Sequence, residues 1–540
     1  MVHQSGTTSL NETKQTSGTI DGISAYYSNA VAPTVFKLLT VNYYDDYNFT
    51  SAPTFPAYSF DNVPSFYNNS TVLPKGLSTG SWVRVLTTSG STAGETSYVL
   101  YDSKARPIEN YTANYLGGFT RTDIKLDFPG KPYLTYTTHR RTASDATILV
   151  QEGFTYSPQG RLLTHTHQIG TGTVQLLASN TYDELGQLIA KKVGGVDTTG
   201  ATGLQTVDYT YNIRGWLKGI NDVATINVPG NGNTDLFAFK INYNDITDPT
   251  KKLYNGNISQ TSWMTANTDK TLRSYTYAYD KLNRLKTATD PLGRYNENLW
   301  YDRNGNITAL TRLGNTAPGT ATFGTIDNLA YTYDTGNKLI KVEDSSGNTE
   351  GFTDGSHAAI EYTYDANGNM TSDLNKGIGT ATTAGITYNH LNLPTKIIFA
   401  TGSTTGNIVY IYNAVGQKVQ KIVNQLTPSV NTTTTDYLGG IQYTKINSGI
   451  VNLQFLPTAE GYVEPVGSSY KYVFQYKDHL GNVRLSYKDV STTSTPSLQI
   501  VTENNYYPFG LIQKGYNYVF NSTNPALNYK YNGKELQDEL

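Results

Sequence analysis

A five-residue pattern recurs along this 540-residue chain: Tyr, then Asp, Asn or Ser, two variable residues, and then Gly or Asn. Nine copies fit the pattern, and a degenerate tenth copy begins at Tyr101. From Tyr279 onward, neighbouring copies are 22, 32, 31, 24 and 24 residues apart. The unit is therefore fixed, whereas the connections between units vary in length. The defining residues are Tyr156 and Gly160; Tyr182, Asp183 and Gly186; Tyr211 and Gly215; Tyr279 and Asp280; Tyr301, Asp302 and Gly305; Tyr333 and Asp334; Tyr364, Asp365 and Gly368; Tyr388; and Tyr412 and Gly416.

Each unit predicts one β-hairpin. Aromatic residues alternate ahead of the turn, as at Tyr275, Tyr277 and Tyr279, and a period of two places them on one face of a strand. The Asp or Asn that follows can accept a backbone N–H two residues further on. The Gly or Asn three residues later suits a left-handed residue after a type I turn, which gives a three-residue hairpin with a G1 bulge. An apolar residue such as Leu285 or Ile307 then begins the return strand.

The number of units predicts the fold class. A lone hairpin is only marginally stable in water, so the hairpins must pair edge to edge. We therefore predict an all-β chain in which consecutive hairpins form one long, spiralling sheet, with very little helix.

Composition excludes several classes of protein. The net charge of -2, with only 16% charged residues, argues against a nucleic-acid binder and a polybasic membrane anchor. The absence of Cys excludes disulfides, thiolate zinc sites and Cys nucleophiles. No apolar stretch is long enough for a membrane-spanning helix, and the first residues do not resemble a signal peptide. An aromatic content of 12% argues against disorder.

The repeated residues resemble the YD repeats of the RHS (rearrangement hot spot) and teneurin-like family. Three later segments, 472–487, 503–511 and 529–540, resemble the start of the RHS-repeat-associated core of the Bacteroidetes type. On this resemblance the chain divides into a loosely matching β-rich region (1–95), a YD-repeat shell (96–435) and an incomplete core (436–540). The core-motif residues are Asp478, His479, Gly481, Arg484, Tyr507, Pro508 and Gly510.

The resemblance implies a container. In the family, the repeats enclose a variable C-terminal polypeptide, often a toxin, and in many members the core cleaves itself from that cargo. This chain ends at Leu540, before the family's cleavage motif, and its one DPxG sequence, at Asp290–Gly293, predicts a turn between repeats. We therefore expect a non-enzymatic shell segment, apparently truncated at both ends, whose cargo partner lies beyond Leu540. The resemblance implies a secreted or cell-surface location.

Three other signals have a structural and a chemical interpretation. His165 and His167 lie on one strand face and could chelate zinc, but no third ligand is evident, so we predict ordinary sheet-surface histidines. The runs 302–306 and 365–369 resemble the start of a calcium loop, but their Gly is misplaced for one, which favours turns. Asp478 and His479 could form an acid–base pair, although turn spacing favours a structural role. No motif indicates a metal or cofactor.

Two alternatives to the shell stay open. The Tyr-rich faces could bind glycans or another cell, since aromatic platforms stack on sugars, although cross-strand aromatic pairs also stabilise sheets by roughly 0.2–1 kcal/mol each. A self-cleaving protease or a glycan hydrolase would need paired carboxylates, and the sequence offers no privileged pair. The direction in which the Tyr faces point distinguishes the shell from the adhesive surface.

Overall fold

The computed structural model of the protein describes residues 11–33, 35–55, 65–88, 90–226, 235–267, 269–317, 319–402, 404–515 and 522–539. Residues 1–10 and Leu540, which entered the expectations about the two ends of the chain, lie outside these ranges. Within them, the helical segments are three short 3-10 helices, at Pro249–Lys251, Leu374–Lys376 and Pro525–Asn528. None of the described helices is long and apolar enough to cross a membrane. The prediction of an all-β chain with very little helix is confirmed.

The described ranges contain thirty-five strands, numbered in chain order. The first ten are β1 (Thr19–Ile20), β2 (Ile23–Ser24), β3 (Thr40–Tyr44), β4 (Ser78–Arg84), β5 (Gly94–Tyr101), β6 (Pro107–Ala113), β7 (Phe119–Leu126), β8 (Pro132–Arg140), β9 (Ile148–Tyr156) and β10 (Leu162–Ile169). The next twelve are β11 (Gln175–Tyr182), β12 (Leu188–Val193), β13 (Gln205–Tyr211), β14 (Leu217–Ile220), β15 (Phe237–Asn242), β16 (Gln260–Thr265), β17 (Arg273–Tyr279), β18 (Leu285–Thr289), β19 (Glu297–Tyr301), β20 (Ile307–Asn315), β21 (Phe323–Tyr333) and β22 (Leu339–Asp344).

The last thirteen strands cover the C-terminal third of the chain. They are β23 (Tyr362–Tyr364), β24 (Met370–Asp373), β25 (Ile386–Tyr388), β26 (Pro394–Thr401), β27 (Thr404–Tyr412), β28 (Lys418–Thr427), β29 (Asn431–Leu438), β30 (Ile441–Ile446), β31 (Val451–Thr458), β32 (Gly461–Val466), β33 (Ser469–Lys477), β34 (Val483–Asp489) and β35 (Leu498–Glu503).

The chain forms two compact units. Unit 1 comprises Met1–Gln175, Tyr410–Lys421 and Thr435–Gly440; unit 2 comprises Leu176–Val409, Ile422–Thr434 and Ile441–Leu540. The two units are groups of residues that pack against one another. The division into a β-rich region, a repeat shell and a core, with boundaries at residues 95 and 435, stays a prediction.

Strands that follow each other in sequence pair with each other in the sheets. In unit 1, β3 to β10 are consecutive antiparallel neighbours. In unit 2, β11 to β22 pair in the same way, and so do β30 to β35. This serial pairing confirms the predicted hairpin array.

The largest buried cluster of unit 2 joins repeat strands to core-motif strands. Phe237 on β15 packs against Tyr476 on β33, with ring centroids 5.7 Å apart. Phe474 on β33 packs against Tyr487 on β34 at the same distance. The apolar surface of these repeat strands is therefore buried by the segment that resembles the core, which fixes where the core motif lies.

Candidate functional site

The repeat turn has one geometry, which the unit around Asp302 illustrates. The Asp302 N–H donates to the Asn306 carbonyl (3.0 Å), and the Gly305 N–H donates to the Asp302 carbonyl (3.3 Å). Oδ1 of Asp302 accepts the Asn306 N–H at 2.8 Å. Gly305 has a φ of 94°, and the strand register shifts at Tyr301. These features define a three-residue hairpin closed by a G1 bulge.

The other copies of the repeat close with the same two backbone hydrogen bonds. Their turns begin at Asp102, Ser157, Asp183, Asn212, Asp280, Asp334, Asp365, Asn389 and Asn413. The left-handed residue three positions later is Gly160, Gly186, Gly215, Asn283, Asn337, Gly368, Asn392 or Gly416, and in the degenerate copy it is Ala105, with a φ of 60°. The DPxG sequence also forms a turn, in which the Gly293 N–H donates to the Asp290 carbonyl at 2.9 Å.

The repeat tyrosine bonds one hairpin to the hairpin before it. The hydroxyl of Tyr301 donates to the carbonyl of Leu285 at 2.7 Å, and that of Tyr364 donates to Leu339 at 2.8 Å. Each acceptor is the first residue of the preceding return strand. Other tyrosines make equivalent bonds: Tyr101 to Ser78, Tyr156 to Pro132, Tyr211 to Leu188, Tyr279 to Ile258, Tyr333 to Ile307 and Tyr388 to Met370. We call this contact the tyrosine clasp.

A second contact connects the turns themselves. Nδ2 of Asn304 and Nδ2 of Asn306 both donate to Oδ1 of Asn337 in the next repeat turn, at 2.9 and 2.8 Å. The same arrangement joins Asn367 and Asn369 to Asn392. The two runs that resembled calcium loops therefore use their Asn side chains to hold the following hairpin. We call this contact the asparagine clasp.

Sequence reasoning missed two turns of the same geometry in unit 1. They begin at Asn114 and Asp127, and their left-handed residues are Gly117 and Gly130. Neither turn is preceded by Tyr, so the five-residue pattern does not include them. The spacing of Asn or Asp to Gly, three residues apart, is the signal that would have found them.

The two predicted strand-face histidines are buried. His165 and His167 are 7% and 4% exposed, and Nε2 of His165 lies 2.9 Å from Oε1 of Glu152. The prediction of surface histidines is therefore wrong, because cross-strand side chains of β9 pack against them, with the Phe154 and His165 rings stacked 4.5 Å apart. No group of three or more potential ligand side chains in the described ranges is arranged to hold a metal ion.

The core motif begins with another copy of the repeat turn. The Asp478 N–H donates to Asn482 (3.0 Å), and the Gly481 N–H donates to Asp478 (2.9 Å). The His479 ring stacks on Phe239, with centroids 5.4 Å apart, and burial lowers the pKa of His479. The carboxylate of Asp478 accepts the backbone N–H groups of residues 480 and 482. In this arrangement the Asp478 carboxylate organises the turn.

Arg484 anchors the core motif to the repeat sheet. Its guanidinium carbon lies 4.9 Å from the centre of the Trp263 ring, and the rings of Phe237, Phe239 and Tyr506 surround it at 5.6 to 6.0 Å. Nε donates to the carbonyl of Asn504 at 3.0 Å. Arg484 is only 5% exposed, so these contacts replace its hydration.

Arg484 also belongs to a polar network. Its Nη2 donates to Oδ1 of Asn505 at 3.0 Å, and the indole N–H of Trp263 donates to the same oxygen at 2.5 Å. Nη1 lies 3.6 Å from Oδ2 of Asp478. The repeat strand β16, the turn at Asp478 and the segment after β35 thus meet at one side chain.

The segment 503–514 continues this contact along the repeat strands. Tyr507 donates its hydroxyl to the carbonyl of Leu313 (2.6 Å), and Gln513 Nε2 donates to the Tyr275 hydroxyl (2.5 Å). The turn at Tyr507 closes when the Gly510 N–H donates to the Tyr507 carbonyl. Pro508 accepts the Tyr531 hydroxyl at 3.2 Å.

The core-motif residues surround a small cavity. Its volume is about 60 Å³, and its lining includes Asp478, His479, Arg484, Tyr507 and Pro508. A cavity of this size holds a few water molecules. Asp478 and Arg484 are therefore brought together with the Tyr507 turn, whereas the repeat-turn residues stay distributed along the sheets.

Comparisons with known proteins give a distant likeness only. Neither a protein-family model nor a curated protein matches the chain. A crystal structure of TcdB2-TccC3-TEV is similar at 15% identity over 92% of this chain, with a TM-score of 0.39. The Tc holotoxin pore of Photorhabdus luminescens, with a mutated TccC3, is similar at 14% identity over 91% of this chain, with a TM-score of 0.37.

A third structure, TcdB2-TccC3 without its hypervariable C-terminal region, matches 87% of this chain at 16% identity, with a TM-score of 0.24. This chain spans 28–29% of the length of the three matched chains. At these TM-scores the likeness assigns no family, activity or partner to this chain.

Proposed function

We propose that this chain is a wall segment of an RHS/YD-repeat shell that encloses a polypeptide cargo. The observation that carries the proposal is the tyrosine clasp. Because eight of the repeat tyrosines bond their hairpin to the chain that precedes it, most hairpins are completed by their predecessor. Repetition of that contact favours a continuous wall over a string of independent domains.

Two further features support containment. The core-resembling segment packs on the repeat strands through Arg484, which lies over the Trp263 ring, and through Tyr507, as an element that closes or braces a wall would. The repeat strands also expose many Thr, Asn and Ser side chains, which offer a polar surface without a strong apolar grip. Such a surface retains a polypeptide by enclosure and leaves it free to depart when the wall opens.

The cargo, its release and its delivery belong to this proposal. The family resemblance favours a toxin-like polypeptide as the cargo, a secreted or cell-surface setting, and no enzymatic activity in this chain. A shell needs no catalytic group because its work is to deny the cargo contact with other molecules.

Small-angle scattering of the purified chain tests the wall. A shell segment gives a pair-distance distribution displaced toward long distances relative to a solid particle of equal mass. A distribution that fits a compact, filled particle would overturn the proposal. Chain that has been denatured, purified and refolded, and that therefore carries no co-purified polypeptide, serves as the control for trapped material.

One observation favours glycan binding as a second candidate. Trp300 on β19 is 46% exposed, and its cross-strand neighbours are Ala309 and then Ala330. Small neighbours leave one face of the indole open, which is a surface that stacks on a sugar ring. A glycan array read with the native chain and with Trp300→Ala tests this candidate; equal signals from both chains would remove it.

A further inference from the structure

Two acidic side chains face each other inside unit 1. Glu109 on β6 and Asp123 on β7 are directly paired in the antiparallel register. They are 2% and 4% exposed, and their carboxyl groups lie within hydrogen-bonding reach of each other. Directly opposite residues of like charge destabilise a sheet, so this pair needs a compensating feature.

The surroundings provide one close cation for the two acids. The hydroxyl of Tyr98 on β5 donates to Oε1 of Glu109 at 2.8 Å. Nε of Arg121, two residues before Asp123, donates to Oδ2 of that aspartate at 3.1 Å. The other titratable groups that face the pair are those of Tyr47, Tyr111, Lys125 on the same face of β7, and Tyr136, which pairs with Asp123 from β8.

Burial decides the charge of the pair. An ionised carboxylate without solvent or a second cation is costly, and two adjacent carboxylates cannot both ionise readily. Burial raises the pKa of Glu109 to about 7 and also raises the pKa of Asp123. One acid therefore keeps its proton under mildly acidic conditions.

We propose that Glu109 and Asp123 share a single proton, and that this proton forms an acid-strengthened lock between β6 and β7. With the proton present, one carboxyl donates to the other and the remaining negative charge lies beside Arg121. Without it, two buried anions oppose each other across the strand pair. The lock is a property of the wall itself and goes beyond its proposed use as a container.

The direction of the pH dependence follows from the raised pKa of Glu109. In the unfolded chain this carboxyl titrates near 4.5, and in the folded chain near 7. Between these values the folded state holds a proton that the open state releases. The stability of the lock is thus complete below about pH 4.5 and is lost as the pH rises to about 7.

Hydrogen exchange of the amides in β5 to β7, corrected for intrinsic rates, measures the lock in the full chain. We expect the local opening constant to rise by up to about tenfold per pH unit between pH 5 and 7. Glu109→Gln keeps an acceptor for Tyr98 and a donor for Asp123, so its opening constant should change less than about threefold over that range. Glu464→Gln, which removes an acid from a single ion pair with Lys488 in unit 2, should keep the native slope in β5 to β7.

Infrared spectroscopy detects the shared proton itself and so tests the lock without relying on local opening. The native chain at pH 6 should show protonated-carboxyl C=O absorption that disappears by pH 9, and the native-minus-Glu109→Gln difference spectrum should contain the part of it that belongs to the Glu109–Asp123 pair. Asp123→Asn should also abolish the pH slope, and it serves if the first variant does not fold. An unchanged slope in either folded variant, or a native chain without the infrared band, would overturn the lock.

Discussion

The hydroxyl of Tyr333 donates to the main-chain carbonyl of Ile307 at 2.8 Å, and so joins one hairpin to the hairpin before it. The same contact recurs in both units, which makes it the recurring link between successive hairpins. Tyr is required at this position because Phe supplies the ring but not the donor.

Removing the Tyr333 hydroxyl measures how much one tyrosine clasp contributes to the free energy of unfolding. Tyr333→Phe should lower the free energy of unfolding by about 0.5–1.5 kcal/mol, since a part-buried carbonyl loses its donor. Tyr254→Phe is the matched control, because Tyr254 is 70% exposed. Urea denaturation measures both variants, and equal stabilities would show that the clasp contributes nothing.

The degenerate first repeat has a strained turn. Ala105 holds a φ of 60° where most other copies have Gly, and a left-handed conformation costs an L-residue roughly 1–2 kcal/mol. Ala105→Gly should therefore stabilise the chain by about 0.5–1 kcal/mol in spite of the greater freedom of its unfolded state. Gly305→Ala should shift thermal unfolding in the opposite direction; a common direction for the two variants would contradict this account.

The asparagine clasp predicts an energetic coupling between neighbouring turns. In a double-mutant cycle of Asn306→Ala and Asn337→Gly, we expect a coupling of about 0.5–1 kcal/mol, since Asn306 donates to Asn337 and Gly retains the left-handed backbone. Denaturation of the native chain, the two single variants and the double variant gives this quantity. Additive effects would mean that the two turns are energetically independent.

The buried histidines of unit 1 should lose stability in acid, in the direction opposite to the Glu109–Asp123 lock. Burial lowers the pKa of His139 and His167 from 6.5 to about 4. The contribution of these two neutral histidines to the free energy of unfolding is complete above about pH 6.5. It is lost as the pH falls to 4, by up to about 3 kcal/mol for each residue. Chemical denaturation from pH 4 to 7 should show a smaller slope for His167→Gln than for the native chain; identical slopes would exclude a role for His167.

Arg484 should be the most sensitive position of the core motif. Arg484→Met removes the hydrogen bonds to the Asn504 carbonyl and to Oδ1 of Asn505, together with the ion pair to Asp478, so we expect a loss of about 3–5 kcal/mol in the free energy of unfolding. Arg484→Lys should recover only part of that loss, because an ammonium does not reproduce the planar fork. The control is Arg303→Met at an exposed turn position; an effect of similar size there would remove the special role of Arg484.

The sequence predicted the hairpin unit because its signals are local. Tyr at alternate positions, Asp302 at the start of the turn and Gly305 three residues later each act within a few residues. The clasps were not predictable in the same way, since Tyr301 bonds to Leu285 and Asn306 to Asn337 across connections of variable length. The pairing of hairpins determines these contacts, and the local pattern alone does not contain it.

The sequence pattern also did not predict which polar side chains are buried. The period-two pattern of the strand places His165 and His167 on one face. Whether that face is buried depends on the side chains that neighbouring strands pack against it. The same holds for Arg484, whose aromatic surroundings come from β15, β16 and the segment after β35. The resemblance indicated that the core motif matters, and packing identifies Arg484 as the residue that joins it to the repeats.

Electron cryo-microscopy of the purified full chain shows directly whether successive hairpins form a shell. If they do, the density is a curved, single-layered β-wall whose concave side faces a solvent-filled or cargo-filled space. The tyrosine clasps should follow each other along that wall from one hairpin to the next. A solid particle with side chains packed through its centre would contradict the shell.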